Sequence, residues 1–502
     1  MSERLPFQPE PTVRADAAAL FEAKGMDLTE DFMEAAVAIC SCRKNILLTG
    51  KAGTGKTTFV KDCLIPLLNR YGVIYAPTAT TGIAGSHFGG KTIHSWLGCQ
   101  RGPDDLDESV SYERRLHILG FTADQILKRM PSGVRNGLEN RIKGTEVLLL
   151  DEVSMCSGNF LNFIDVYLRK IRDPHTPFGG IQMIFIGDFQ QLPPVDKLKR
   201  RAPDWAFMSE AWRDGQVYPA YFEHVFRQAD PEFAKFLNSI RDGVSPDSET
   251  QEYMKQFMKP DLTAEELASM TVLVSTNAEA DIINEQALQF FPEPEIVLPA
   301  LFEILDLHKV YSVEGTKDAL LKARVVREVL RIRKGMPVLL NYNDPEGAFV
   351  NGTKAEVVGW HEDVVGGLEG PGTLLELKDT KGKTIRVSRK RHCAKADQDP
   401  GHTTVDANGD TVCRYPNMAQ FPVIAASSVT THKSQGMTLE EAAIDLRRSF
   451  AAGQVYVAMS RLRSPEGLTL LSRDMNVMSD PTASEYYRLI RQYKEQQREQ
   501  QS

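Results

Sequence analysis

Short apolar runs alternate with helical patterns through the first part of the chain. Asn45-Ile46-Leu47-Leu48-Thr49 is one such run, and from Thr57 to Leu68 the residues Phe59, Val60, Cys63, Leu64 and Leu67 recur on one helix face. Val73-Ile74-Tyr75-Ala76, Glu146-Val147-Leu148-Leu149-Leu150 and Gln182-Met183-Ile184-Phe185-Ile186 are continuous apolar stretches. Runs of that kind suit strands buried on both faces of a parallel sheet, which predicts an α/β core over residues 26–225. Residues 100–143 interrupt it with charged, loop-like and helical pieces and read as an insertion.

A second alternating block begins at 226. Val272-Leu273-Val274-Ser275 is a strand and Ala280 to Phe290 a helix; Val423-Ile424-Ala425-Ala426, Ala442-Ala443-Ile444-Asp445 and Leu468-Thr469-Leu470-Leu471 add strands. These predict a second α/β core over 226–333 and 419–484. Between its halves, over 334–418, short β-like pieces are separated by Gly, Asn and Asp turns, the pattern of a small antiparallel barrel. The first 25 residues, rich in Pro, Ala and acids, read as a flexible leader, and 485–502 as a polar tail of helical composition.

A chain of 502 residues exceeds one core, in keeping with this division. No apolar run approaches a membrane span and no charged-then-apolar leader is visible; seven cysteines without a disulfide-like framework suit the cytosol. Of the net charge of −8, −5 lies in residues 1–40. A nucleic-acid site on this chain is therefore expected to be a narrow basic channel rather than a basic face.

The chemistry centres on Gly50-Lys51-Ala52-Gly53-Thr54-Gly55-Lys56-Thr57, which fits G-x-x-x-x-G-K-[ST] between a strand and a helix. Its glycines let backbone N–H groups converge on phosphate oxygens, and the following helix, with Thr58, directs its positive end at them. Lys56 is expected to reach the β- and γ-phosphates and the Thr57 hydroxyl to ligate Mg²⁺. Asp151 and Glu152 follow a buried strand directly, where α/β sheets bind ligands. Asp151 is the expected partner of Mg²⁺ and Glu152 the general base for water. Gln191, in Gly187-Asp188-Phe189-Gln190-Gln191-Leu192-Pro193-Pro194, has an amide able to orient water or sense the γ-phosphate.

With these residues assembled, the chain resembles a superfamily I, subgroup B helicase of the Pif-one family and its bacterial relatives, themselves related to RecD-like helicases. The motifs follow the family's order: the phosphate loop, Ala76-Pro77-Thr78-Ala79-Thr80-Thr81-Gly82-Ile83-Ala84, Gly90-Lys91-Thr92-Ile93-His94-Ser95, Leu150-Asp151-Glu152-Val153-Ser154-Met155, and Pro177-Phe178-Gly179-Gly180-Ile181-Gln182 leading to Pro194. Then come Val225-Phe226-Arg227-Gln228, Val350-Asn351-Gly352-Thr353, Thr431-His432-Lys433-Ser434-Gln435-Gly436-Met437-Thr438 and Tyr456-Val457-Ala458-Met459-Ser460-Arg461. The resemblance implies two RecA-like motor cores, ATP with Mg²⁺ between them, and Arg227 and Arg461 stabilising the transferred phosphoryl group. It also implies a duplex-splitting wedge in the first core's insertion and the barrel in the second's. A monomeric motor moving 5′→3′ on single-stranded DNA and opening forked duplex, in replication, repair or recombination, is the implied activity. The family's adenine-reading glutamine is not evident; Asp31-Phe32-Met33-Glu34 stands near its place.

Thr78, Thr80, Thr81, His94, Thr431, His432 and Ser434 are small polar groups in loops after strands, suited to phosphate contact without base reading. Phe88, Trp96 and Phe189 are open to either base stacking or core packing, and the basic runs 197–201 and 322–334 read as solvated faces. His392, Cys393, His402 and Cys413 match no standard zinc spacing. Two other readings stay open: a single-strand translocase with weak unwinding, and a binding protein gated by nucleotide.

Overall fold

Strands β1 (Ile46–Gly50), β2 (Tyr75–Ala79), β3 (Lys91–Thr92), β4 (Val147–Asp151), β5 (Gln182–Ile186) and β6 (Tyr218–Phe222) form one parallel sheet, in the order β3-β2-β4-β5-β1-β6. They belong to a computed structural model that describes residues 8–25, 28–81, 88–99, 111–194, 202–226, 230–244, 246–263, 265–266, 270–303, 327–342, 344, 348–349, 353–361, 364–365, 368–369, 373–393, 403–405, 411–413, 417–435, 437–472 and 477–501. β1, β4 and β5 are buried along their whole length, as continuous apolar runs require. β3 and β6 lack such runs and were not legible as strands.

The chain divides into two compact units. One comprises Met1–Lys128, Ser132–Met258 and Ser434–Ser502; the other comprises Lys259–Lys433 with Arg129–Pro131. Residues 434–484, which the sequence assigns to the second core, thus group with the first unit.

In the first unit, α1 (Glu10–Glu22) corrects the expectation of a flexible leader. Val13, Ala17 and Phe21 lie four residues apart and are buried in the core that also holds α2 (Glu30–Cys40) and the helix after the phosphate loop. The Tyr71 hydroxyl donates to the Asp16 carboxylate at 2.9 Å and ties the helix down. Composition hid a four-residue apolar period. Downstream of β1, α3 (Lys56–Phe59) passes through a π-helical turn (Val60–Leu64) into Ile65–Arg70. Pro66 lacks an N–H and crowds the preceding turn, which accounts for the widened hydrogen-bond spacing there.

The described part of the insertion is helical: α4 (Tyr112–Arg129) and α5 (Ser132–Gly144) bury Leu119, Ala123 and Leu127, and Leu138 and Ile142, respectively. Further along, α6 (Pro231–Arg241) starts at an Asp230 cap that accepts the Phe233 N–H. Ala442–Asp445 and Leu468–Leu470 pair in parallel, flanking α7 (Gln454–Met459) in sequence. The expected polar tail is part of α8 (Pro481–Gln501), a helix with Ala483, Tyr487 and Ile490 buried. Its polar residues hide a stripe spaced three and four residues apart.

In the second unit, Thr271–Val274 and Ser428–Thr430 pair in parallel, beside a helix (Asn277–Leu288) that opens with a Thr276/Glu279 capping box. Pro337–Leu340, Lys354–His361, Leu374–Asp379, Thr384–Val387 and Val423–Ala425 make a five-stranded antiparallel sheet. Its alternate residues Val338, Leu340, Val357, Leu375, Leu377, Ile385 and Val387 form the core. Leu301–Glu303, Lys390–Cys393 and Asn417–Gln420 form a smaller antiparallel sheet.

If α1 is structural, Phe21→Ala should lower unfolding free energy by about 3–5 kcal/mol, the range for deleting a buried ring. Urea denaturation checks this; an unchanged midpoint would restore the flexible leader.

Candidate active site

A cavity of about 510 Å³ opens at the carboxyl ends of β1, β4 and β5, lined by the phosphate loop, Asp151, Glu152, Gln191, Phe226 and Arg461. All of its lining residues belong to the first unit. The loop's path from β1 depends on Gly50: at φ 146° it lies so close to β6 that a Cβ would meet the Phe222 carbonyl at 2.4 Å. Lys56 points inward and donates from Nζ to the carbonyls of Gly50 (2.8 Å) and Lys51 (2.9 Å). Gly53, Thr54, Gly55, Thr57 and Thr58 line the cavity, and Ala52 donates its N–H to the Tyr456 hydroxyl at 2.7 Å.

Asp151 ends β4, and Glu152 turns sharply with φ 53° and ψ 45°, a left-handed conformation rare outside glycine. The turn is held from several sides. The Glu152 N–H donates to Asp151 Oδ1 at 2.8 Å, and Thr80 donates its N–H to the Asp151 carbonyl and its hydroxyl to the Glu152 carbonyl. The Gln435 amide donates to Glu152 Oε2 at 3.0 Å. Burial and then the Asp151 charge push the Glu152 carboxyl upward, against Arg461, Gln435 and Lys56. Among the described residues, the side-chain carbonyls of Gln191 and Gln435 are buried without a hydrogen-bond partner. Acceptors of that kind suit a site that receives a polar ligand or water.

Arg461 is buried and lines the cavity, its guanidinium donating to the carbonyls of Val457 and Met437 and to the Ser460 hydroxyl. Lys56, Thr57, Asp151, Glu152, Gln191 and Arg461 therefore surround one space. Arg227 lies outside the described residues. Phe21, Phe32 and Phe226 also line the cavity, and the Phe226 N–H donates to the Gly53 carbonyl.

The residues expected to contact DNA behave differently from one another. Thr78 is buried and donates its hydroxyl to the Leu149 carbonyl; Thr431 is buried and donates to the Val274 carbonyl. Each is engaged within its own sheet, and Thr80 buttresses the Asp151–Glu152 turn. Thr81 is part-exposed, and Ser434 is buried. The half-buried His94 stacks on Phe160 at 4.4 Å, and burial lowers the pKa of both His94 and His432, leaving them neutral at pH 7. Trp96 and Phe189 are core residues, and Phe88 packs partly buried against the core of the first unit. Residues 197–201 and His402 lie outside the described residues, as do the side chains of His392, Cys393 and Cys413. Of the 322–334 run, Arg327 pairs with Asp281, and Arg331 with Glu285 and Glu295.

Sequence reasoning missed the braces behind the site. Asp188 and Arg241 form a fully buried ion pair with contacts of 3.0 and 3.2 Å. Burial alone would push the Asp188 carboxyl up, but the guanidinium, with Lys56 farther off, holds it below the usual carboxylate range. Gly453 (φ 72°) lets the start of α7 lie against the Gln191 loop, where a Cβ would meet the Gln190 and Gln191 carbonyls at 2.5 and 2.6 Å. Asp188, Gln435 and Tyr456 sat inside motifs already noted, though without a role, whereas Arg241 and Tyr487 gave no local signal.

Removing the guanidinium in Arg241→Met leaves a buried lone carboxylate, and should cost about 3–5 kcal/mol at pH 7. The ion pair contributes fully above the unfolded carboxyl pKa of about 3.9 and is lost as pH falls through the lower folded value. In the variant, burial holds the carboxyl high, so acidification relieves its penalty. The stability gap between the two proteins should therefore narrow from about pH 7.5 to about pH 5 in urea unfolding; a constant gap would contradict the pairing.

A family model of PIF1-like helicases matches residues 30–251. The ATP-dependent DNA helicase PIF1 of Emericella nidulans is 30% identical, aligned over 90% of this chain and 61% of its own length. The ATP-dependent DNA helicase Pif1 of Psychrobacter sp. is also 30% identical, over 89% of this chain and 69% of its own. The chain thus spans roughly three fifths to seven tenths of these relatives' length. A crystal structure of Bacteroides Pif1 bound to single-stranded DNA superposes with a TM-score of 0.67 at 25% identity, covering 94% of this chain and 98% of that one. From the extent of these matches and the parallel-sheet core that carries its phosphate loop and carboxylate pair, the chain belongs to the PIF1-like helicase family.

Proposed function

We propose that this protein is an ATP-dependent DNA helicase that hydrolyses ATP in the cavity of the first unit, moves 5′→3′ on single-stranded DNA and opens forked duplex. The observation that carries the reading is the convergence of Lys56, Asp151, Glu152, Gln191 and Arg461 on one space at the carboxyl edge of a parallel sheet. The loop's amides and Lys56 would hold the β- and γ-phosphates. Glu152, held by Gln435, is placed to take a proton from water, and Gln191 to orient that water. Arg461 supplies positive charge for the transferring group, with Arg227 as a second donor.

The site also fits magnesium. The Thr57 hydroxyl and Asp151 carboxylate are oxygen donors beside the loop, the type a hard cation takes. When bound there, the ion would neutralise charge on the β- and γ-phosphate oxygens.

For the motor, the reading keeps two RecA-like cores (26–225, and 226–333 with 419–484), a wedge near 100–143, a barrel over 334–418, and one chain as the working unit. The Bacteroides relative bound to single-stranded DNA supports a single-strand path on this chain. Along it, Thr81, His94 and His432 are the proposed phosphate contacts, while Thr78, Thr80, Thr431 and the fully buried Ser434 act by shaping the loops. Because both histidines are neutral at pH 7, they would contribute hydrogen bonds rather than charge. Among the described residues, no helix is long and apolar enough to cross a membrane.

Lys56→Ala should abolish ATP turnover in a coupled assay; normal hydrolysis by the variant would refute the phosphate-loop assignment. On tailed duplexes with ATP, strand separation should require a 5′ single-stranded tail. A requirement for a 3′ tail would reverse the polarity, and displacement of streptavidin from a strand end without unwinding would favour the translocase.

A further inference from the structure

We propose that Tyr487 on α8 is a positioning residue of the nucleotide site, fixing the phosphate loop and the Gln191 loop to one buried hydroxyl. Tyr487 has no solvent exposure. Its hydroxyl lies 2.6 Å from Thr49 Oγ1 and accepts the Phe189 N–H at 3.0 Å. A phenol has one hydrogen and two acceptor lone pairs, so a single oxygen serves both neighbours. Thr49 immediately precedes Gly50, where the phosphate loop begins, and Phe189 stands two residues before Gln191. The ring carries the Arg241 guanidinium at 4.8 Å, and that guanidinium grips Asp188, next to Phe189.

The rest of α8 is seated independently of this hydroxyl. Trp205 Nε1 donates to Asp480 Oδ1 at 3.0 Å, Gln190 donates to the Ser484 hydroxyl at 3.2 Å, and Tyr486 stacks on Phe207 at 4.2 Å. The helix is therefore a rigid support under two loops that face the cavity from the ends of β1 and β5. Their separation sets where the Gln191 amide stands relative to a phosphate held by the loop. Displacements of about 1 Å at such a place can cost two orders of magnitude in rate.

The inference rests on the cavity being an ATP-hydrolysing site. Tyr487→Phe keeps the ring and removes both hydrogen bonds. Turnover number should fall about ten-fold, while affinity for a fluorescent ADP analogue stays within about two-fold, because the loop's own amides bind the phosphates. Thr49→Val removes the other partner and should give a similar fall. The double variant should lose about ten-fold rather than a hundred-fold, as expected of coupled residues. Ile490→Val, which trims a buried contact of α8 away from the hydroxyl, should lower the melting temperature without lowering turnover. If Tyr487→Phe turns over as wild type, or if both α8 variants lose turnover in proportion to their loss of folded protein, the inference is overturned. A wild-type protein without ATPase activity would overturn the underlying reading, and this inference with it.

Discussion

A glycine-rich loop can aim its amides at phosphate only if something outside the loop holds it in shape. Glycine gives the required dihedral freedom and, by the same property, no rigidity. Here two tyrosines supply part of that bracing. Tyr456 accepts the Ala52 N–H within the loop, and Tyr487 holds Thr49 at its base. Beneath both lies the Asp188–Arg241 ion pair, buried completely and in contact with the Tyr487 ring. The isolated pair is expensive to bury, and its attraction alone is a poor source of stability. Its value is geometric: it fixes the start of the Gln191 loop to α6.

This arrangement couples chemistry to fold along short covalent distances. Tyr456 and Arg461 are five residues apart, so the group that holds the phosphate loop and the cation that faces the cavity move together. Thr80 and Gln435 do the same for the carboxylates, one holding the backbone of Asp151–Glu152 and the other the Glu152 side chain. Segments that sequence reasoning assigns to DNA contact therefore also shape the hydrolytic turn. Under the proposed function, a shared element of this kind is one whose arrangement both nucleotide and DNA could bias.

What could be read from the sequence divides along physical lines. β1, β4 and β5 were legible because burial on both faces leaves continuous apolar runs, and the phosphate loop because its glycines and lysine have a fixed spacing. β6 was not, since Tyr218-Tyr221 polar tips and Pro219 break the run. α1 and α8 were read as leader and tail because composition was weighed ahead of a sparse apolar stripe in an otherwise polar helix. At the site, the polar side chains that line the cavity carry motif signals, whereas Asp188, Arg241 and Tyr487 meet only through tertiary contacts across 53 to nearly 300 positions. No local pattern encodes such a meeting. Thr78 and Thr431 show the converse: a threonine after a strand can face solvent or bond back to a neighbouring strand, as both do here, and the sequence is the same in both cases.

The phosphate loop and the Gln191 loop are held by the protein's own buried hydroxyls. Amide hydrogen exchange at Ala52 and Phe189 in nucleotide-free protein tests this most directly, because each N–H is bonded to a buried tyrosine hydroxyl. Bracing by these hydroxyls should make exchange as slow as in the strands of the parallel sheet. Exchange at the rate of an open surface loop, slowing only when ADP is added, would contradict it.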